Sequence, residues 1–162
     1  MTAFIDLHIH TTASDGTLSP SAVVALSESI GLAAIAITDH DTVAGFAEGY
    51  AAAQGIEVIS GVELSVKIQH GSAHIVGLWL DHTNPVLSLR LTELIQSRVT
   101  RNTQIAARLT ELGMPVSIEE VAAVAGGDVI GRPHFAEVLL KRGYVSSTEQ
   151  AFQPTGRPCF RR

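Results

Sequence analysis

Leu32 to Thr38 (Leu-Ala-Ala-Ile-Ala-Ile-Thr) is an unbroken apolar run with no polar alternation. A strand that is apolar on both faces must be covered on both faces, which is the situation of a strand inside a parallel sheet. The flanking segments supply the rest of that architecture. Ala3 to His8 is a short apolar strand. Ser19-Pro20 starts a helix, with serine as N-cap and proline at the first helical position. Val23, Val24, Leu26 and Ile30 form its apolar face, and Gly31 ends it. After the central run, Asp41 or Thr42 can cap a helix through about Gln54, ended by Gly55, and Ile56 to Ser60 is a third strand. Two more short strands flank a turn at His70-Gly71-Ser72, the second from Ala73 to Leu80. The order β-α-β-α-β implies parallel strands joined by right-handed crossovers.

From Asn84 the pattern changes. Pro85 to about Leu112 is helical, with Leu87, Leu91, Leu94 and Ile95 on one face and Arg90, Glu93, Arg98 and Arg101 as its charged complement. Ser117-Ile118-Glu119-Glu120 is a capping box that opens a second helix, ended near Gly126-Gly127. A third helix runs from about Pro133 to Lys141, stopped by Gly143, and Ser147 to Gln150 caps a short fourth. The expected organisation is an α/β portion over residues 1–83 and a helical portion over residues 84–162.

Composition narrows the function. A chain of 162 residues with 46% hydrophobic and 17% charged residues has enough apolar content for a core. A net charge of -5 argues against nonspecific binding to duplex DNA, but not against a small phosphorylated substrate held by metal ions. Cys159 is the one cysteine, so no internal disulfide forms. No run reaches the roughly 18 apolar residues of a membrane span, and Asp6 and His8 interrupt the opening apolar stretch where a leader would need continuity. A soluble cytoplasmic protein is expected.

The ends of the apolar runs carry the chemistry. In parallel sheets, function collects at the carboxyl ends of strands. His8 and His10 end the first run, Asp15 follows in Ser14-Asp15-Gly16, His40 follows the second run, Glu63 follows the third, and His74 lies on the last strand. Residues two apart on a strand share a face, so both imidazoles of His8-Ile9-His10 can reach one ion. Singly, each residue has an ordinary explanation: a surface histidine pair, a turn, a helix cap, a solvated glutamate, a core histidine. Five separate segments placing such groups at strand ends favour a metal site. Imidazole with carboxylate suits zinc, manganese or iron.

These residues also form a recognisable pattern. Asp6-Leu7-His8-Ile9-His10-Thr11-Thr12-Ala13-Ser14-Asp15-Gly16 resembles the opening motif of the PHP (polymerase and histidinol phosphatase) superfamily. Thr38-Asp39-His40-Asp41 resembles its second motif, and Gly61-Val62-Glu63 with Ala73-His74 its third region. Gly131-Arg132-Pro133-His134-Phe135-Ala136 and Gly143-Tyr144-Val145 resemble the helical insertion of the bacterial branch that holds nucleoside 3',5'-bisphosphate phosphatases and a 5'-to-3' exoribonuclease. The resemblance implies an α/β fold, the N-terminal part of a distorted PHP-type β/α barrel with a helical insertion. It implies two or three divalent ions (Mn, Zn or Fe) in the complete site. His8 and His10 would hold one, shared through Glu63 with a second that His74 helps to bind, and Asp15 and His40 would belong to a third. A metal-bridging hydroxide would then be the nucleophile, with no side chain in that role, and Arg132 and His134 would contact substrate phosphate. The substrate would be a nucleoside 3',5'-bisphosphate or an RNA 5' end.

Family members run further and add a later histidine and an Asp-x-His pair. This chain has no histidine after His134 and no aspartate after Asp128. The missing part of the barrel is expected in cis, with a partner chain as the second choice, and a half-barrel would expose a sheet edge and apolar surface. Two other readings stand beside the phosphoesterase: a truncated, non-catalytic metal-binding module, and a metal-dependent amide hydrolase.

Overall fold

A computed structural model describes residues 4–69, 71–127 and 129–152. The chain divides into two compact units, residues 1–94 and 95–162.

In the first unit, strand β1 (Phe4–Ile9) leads to helix α1 (Pro20–Ser29), strand β2 (Leu32–Ile37), helix α2 (Ala44–Ala52), strand β3 (Glu57–Ile68) and strand β4 (Gly71–Leu78). The sheet order is β1-β2-β3-β4. β1, β2 and the start of β3 are parallel, as the alternation of strands and helices requires, and β4 returns antiparallel to β3. α1 starts as expected, with the Ser19 side chain accepting from the Ala22 N–H and proline in the first turn. One face of the sheet packs Ile35, Ile37 and Val58 against Val23, Val24 and Phe46 of the helices. Burial of each large aliphatic side chain there contributes about 1.5–3 kcal/mol. The other face carries the small residues Ala34 and Ala36 with Ile59.

Three local expectations are corrected. The third strand does not end at Ser60. It continues to Ile68, absorbing the first of the two short strands expected before the turn. Only its first part pairs with β2, up to Ile37 opposite Ser60, and from Gly61 onward it pairs with β4. Gly61 permits the transfer, because a Cβ there would lie 2.7 Å from the Thr38 methyl and 3.0 Å from the Ile37 carbonyl oxygen. Asp41 does not cap α2. Its backbone is left-handed (φ 54°), and its carboxylate accepts from the Ser65 N–H at 2.8 Å. Thr42 does not cap it either: the N-cap is Val43, without a side-chain cap, and the Thr42 hydroxyl accepts from the Ala44 N–H just inside the helix. Arg98 does not sit on a solvated face: it is buried, as is Asn102 one turn later.

Helix α3 (Pro85–Glu111) begins in the first unit and ends in the second. The second unit adds α4 (Ile118–Ala125), α5 (Arg132–Lys141) and α6 (Thr148–Phe152). The capping box at Ser117 and Glu120 forms in full, and Gly126 ends α4 in the left-handed region (φ 67°). Leu109, Val121, Phe135, Ala136, Leu139 and Ala151 are fully buried in the core of the second unit. Cys159 lies outside the described residues.

Candidate metal centre

The six residues singled out in the first unit meet at one place. His8 is on β1 and His10 just beyond it, with a break in strand register between Asp6 and Ile9. Their rings lie 5.2 Å apart. His40 follows β2, Glu63 and His74 lie on β3 and β4, and Asp15 is in the loop before α1. Glu63 is inside a strand rather than at its end, yet it lies just past the parallel pairing, where its backbone bridges to His40.

Glu63 is the hub. Its Oε2 lies 2.8 Å from His10 Nε2, 3.1 Å from His8 Nε2 and 3.4 Å from His40 Nδ1. Its Oε1 lies 2.8 Å from His74 Nδ1. Asp15 is the second carboxylate, with Oδ1 3.0 Å from His10 Nδ1 and Oδ2 3.6 Å from His40 Nε2. Three overlapping sets result, each with its donor atoms within 4.8 Å of one another: His8, His10 and Glu63; His10, Asp15 and His40; and His40, Glu63 and His74.

The chemistry of this donor set fits divalent cations. Both ring nitrogens of His10 face carboxylate oxygens. A neutral imidazole has one N–H, so its other lone pair would oppose a carboxylate at close range. A second proton or a metal cation relieves that opposition. Ligands about 2.1 Å from one ion stand roughly 3.0–3.4 Å apart, close to the separations seen here. The electrostatics agree. The hydrogen bond to Asp15 raises the His10 pKa above 6.5, against the opposing effect of burial, and the charges of Asp15, Glu63 and Asp39 add to it. Burial alone would raise Glu63, but the hydrogen bond from His8 and the charges of His40, His10 and His74 together lower it below 4.5.

The support beneath these candidate ligands was not read from the sequence. Asp39 is fully buried and accepts three hydrogen bonds: from the Thr11 N–H at 2.7 Å, the Thr11 hydroxyl at 2.7 Å and the Ser14 hydroxyl at 2.6 Å. It thereby fixes the loop that carries His10 and Asp15. The backbone on either side of His40 holds Glu63, whose N–H donates to the Asp39 carbonyl at 3.1 Å and whose carbonyl accepts from the Asp41 N–H at 3.0 Å. Gly16 closes the same loop, since a Cβ there would lie 2.4 Å from the His10 carbonyl oxygen. The available signal was the pair of acids flanking His40, which composition alone cannot distinguish from a helix cap.

Arg132 and His134 belong to the second unit, in the first turn of α5. His134 is buried, and its Nδ1 accepts from the Gly131 N–H at 3.1 Å. His82 is an exposed turn residue whose ring lies 4.7 Å from that of Phe46, and His70 lies outside the described residues.

Comparison with known proteins yields a consistent picture. Residues 6–147 match the PHP domain. A 5'-3' exoribonuclease of Haemophilus influenzae is 42% identical over 94% of this chain and 56% of its own length. A 3',5'-nucleoside bisphosphate phosphatase of Chromobacterium violaceum is 36% identical over 93% of this chain and 54% of its own. A solved structure of an amidohydrolase from Chromobacterium violaceum, with bound sulfate and no metal, superposes with a TM-score of 0.89 at 34% identity, covering 99% of this chain and 58% of that one. The chain thus spans about half the length of the curated relatives it matches.

Proposed function

The chain belongs to the PHP domain family, and from that premise we propose that it is the ligand-bearing part of a metal-dependent phosphoesterase acting on phosphate esters of nucleotides. The observation that carries this reading is the convergence of four histidines on the two oxygens of Glu63, with Asp15 completing a third set. His8, His10 and Glu63 would hold one ion, Glu63, His74 and His40 a second, and His10, Asp15 and His40 a third. Manganese, zinc and iron all suit imidazole with carboxylate. Bound divalent ions at such a site activate water near neutral pH and neutralise phosphoryl charge.

The chain's own residues do the positioning. Glu63 is buried and its backbone is hydrogen-bonded on both sides, which fixes the point from which its carboxylate reaches the histidines. Asp39 does the same for the loop of His10 and Asp15. Residues 1–94 hold only two cations, Lys67 and Arg90, beside ten acidic residues. Arg90 pairs with Glu93. An anionic substrate therefore needs metal ions for positive charge at this centre, and Arg132 and His134 are assigned as phosphate contacts on the family resemblance alone. The names of the relatives support a nucleoside 3',5'-bisphosphate or an RNA 5' end as substrate, and the sulfate of the structural neighbour supports a site for a tetrahedral anion. The relatives' further length supports completion of the barrel by additional chain in cis.

The test is hydrolysis of nucleoside bisphosphates, 5'-phosphorylated RNA and an amide by metal-loaded protein. Phosphate release should stop with chelator and return with manganese. His8→Ala and Glu63→Ala, made in the chain with whatever completes its barrel, should each lower kcat/KM by at least about a hundredfold, the scale of removing a group that orients a metal. Retention of activity by both variants sinks the proposal. Cleavage of the amide alone would transfer the site to amide hydrolysis.

A further inference from the structure

β2 ends at Ile37, but the ladder it makes with β3 goes on. Past the last regular pair, Ile37 opposite Ser60, the Glu63 N–H donates to the Asp39 carbonyl at 3.1 Å and the Glu63 carbonyl accepts from the Asp41 N–H at 3.0 Å. These bonds make His40 and Glu63 a parallel bridge. In a regular parallel ladder the next donor on β3 would be the Ser65 N–H, and its acceptor would be the carbonyl of residue 41. Here the backbone turns left-handed at Asp41 (φ 54°) as the chain leaves for α2. The Ser65 N–H donates to the Asp41 carboxylate at 2.8 Å. One side chain thus prolongs the ladder that its own backbone is leaving.

That arrangement ties together one of the three donor sets, His40, Glu63 and His74. Asp41 follows His40 in the chain and donates its N–H to Glu63. Ser65, which it holds by the carboxylate, stands opposite His74 on β4. The Ser65 N–H is directed at Asp41 and so away from β4, which makes Ser65 and His74 a closely spaced pair of the kind without mutual hydrogen bonds. Asp41 is 1% exposed and belongs to none of the donor sets found among the described residues. A buried left-handed residue other than glycine persists where its surroundings hold it there, and aspartate and asparagine enter that region more readily than most. We propose that Asp41 is a positioning residue, whose left-handed backbone and carboxylate together fix the spacing of His40, Glu63 and His74 and so set the affinity of the ion these three would share. The inference rests on the metal-dependent reading of the site, and adds what keeps ligands from three segments in register.

Manganese binding by chelator-stripped protein, followed by the electron paramagnetic resonance of the free ion, tests this without turnover. Wild type should bind manganese. Asp41→Gly keeps a backbone free to turn left-handed and removes the acceptor. It should weaken manganese binding at least about tenfold, the scale of losing a group that supports a metal ligand. Asp41→Asn keeps both an acceptor oxygen and the tolerance for the turn, and should stay within about threefold of wild type. In a His74→Ala background, where the set is already broken, Asp41→Gly should cost little more. Equal affinity of wild type and Asp41→Gly overturns the proposal. An Asp41→Asn as weak as Asp41→Gly overturns it too, because the charge and not the acceptor would then be responsible. A full further loss in His74→Ala does the same, since Asp41 would then act on the fold at large. Should Asp41→Gly not fold, Asp41→Ser, whose hydroxyl falls short of the carboxylate's reach, carries the same comparison. No manganese binding by wild type would sink the metal centre of the proposed function and this inference with it, whereas wild-type binding with an unaltered Asp41→Gly sinks the inference alone.

Discussion

His10 sets the pH behaviour of the metal centre, because each of its ring nitrogens faces a carboxylate. In metal-free protein its pKa lies above 6.5, led by the hydrogen bond to Asp15. A raised histidine contributes stability that is fully present below pH 6.5 and is lost as pH rises through the folded value. Glu63 is lowered below 4.5, so its contribution is present above pH 4.5 and is lost as pH falls through its folded value. With chelator present, these two groups therefore favour the window between 4.5 and 6.5. A bound divalent ion changes the sign, because it requires unprotonated imidazole and competes with the proton. Urea unfolding at pH 5.5 and pH 8.5 should show the His10 contribution larger at pH 5.5 with EDTA, and metal stabilisation larger at pH 8.5 with manganese. The comparison is wild type against His10→Asn, which lacks the titrating ring. If the two proteins shift alike between these pH values, His10 is not the group responsible.

The loop between β1 and α1 is the element that makes a site out of scattered ligands. It has no regular structure to hold it, so its shape depends on Asp39 accepting from Thr11 and Ser14. Asp39→Asn keeps the size but turns an amide NH2 toward groups that are themselves donors. It should cost about 1–3 kcal/mol in urea unfolding of the metal-free chain, the range for a buried donor left unsatisfied. Manganese affinity should fall as well, because the loop carries His10 and Asp15. Unchanged metal affinity together with lowered stability would make Asp39 a fold residue alone. The loop also marks the boundary of what the sequence could say. Helix starts were legible because their causes are local: Ser19-Pro20 and the Ser117–Glu120 box cap as expected. The candidate ligands could be picked out because His8, His10, His40 and Glu63 stand beside apolar runs. Asp39 was not, because its partners lie 25 and 28 residues away. The length of β3 was hidden too, since Gly61 reads as a break but serves as the point where one strand changes partners. Arg98 and Arg101 looked like an ordinary charged helix face, and only packing shows that Arg98 is buried and Arg101 tethered.

At the scale of the molecule, the sheet that carries the candidate ligands leaves its two outer strands, β1 and β4, each with one edge unpaired among the described residues. β1 bonds to β2, and among the described residues no strand pairs with its other edge. Phe4 and Ile5 on that strand are 69% and 57% exposed. An exposed apolar edge is a template for pairing with another strand. By itself, the 162-residue protein should associate with increasing concentration, and sedimentation velocity across roughly a hundredfold dilution would show it. Phe4→Lys with Ile5→Lys should suppress that association, because charge on an edge strand opposes strand addition without touching the ligands. His8 lies further along the same strand and His10 just beyond its end, so the double variant should retain manganese binding. A wild type that sediments as a monomer throughout would mean that the β1 edge is protected by something other than another strand.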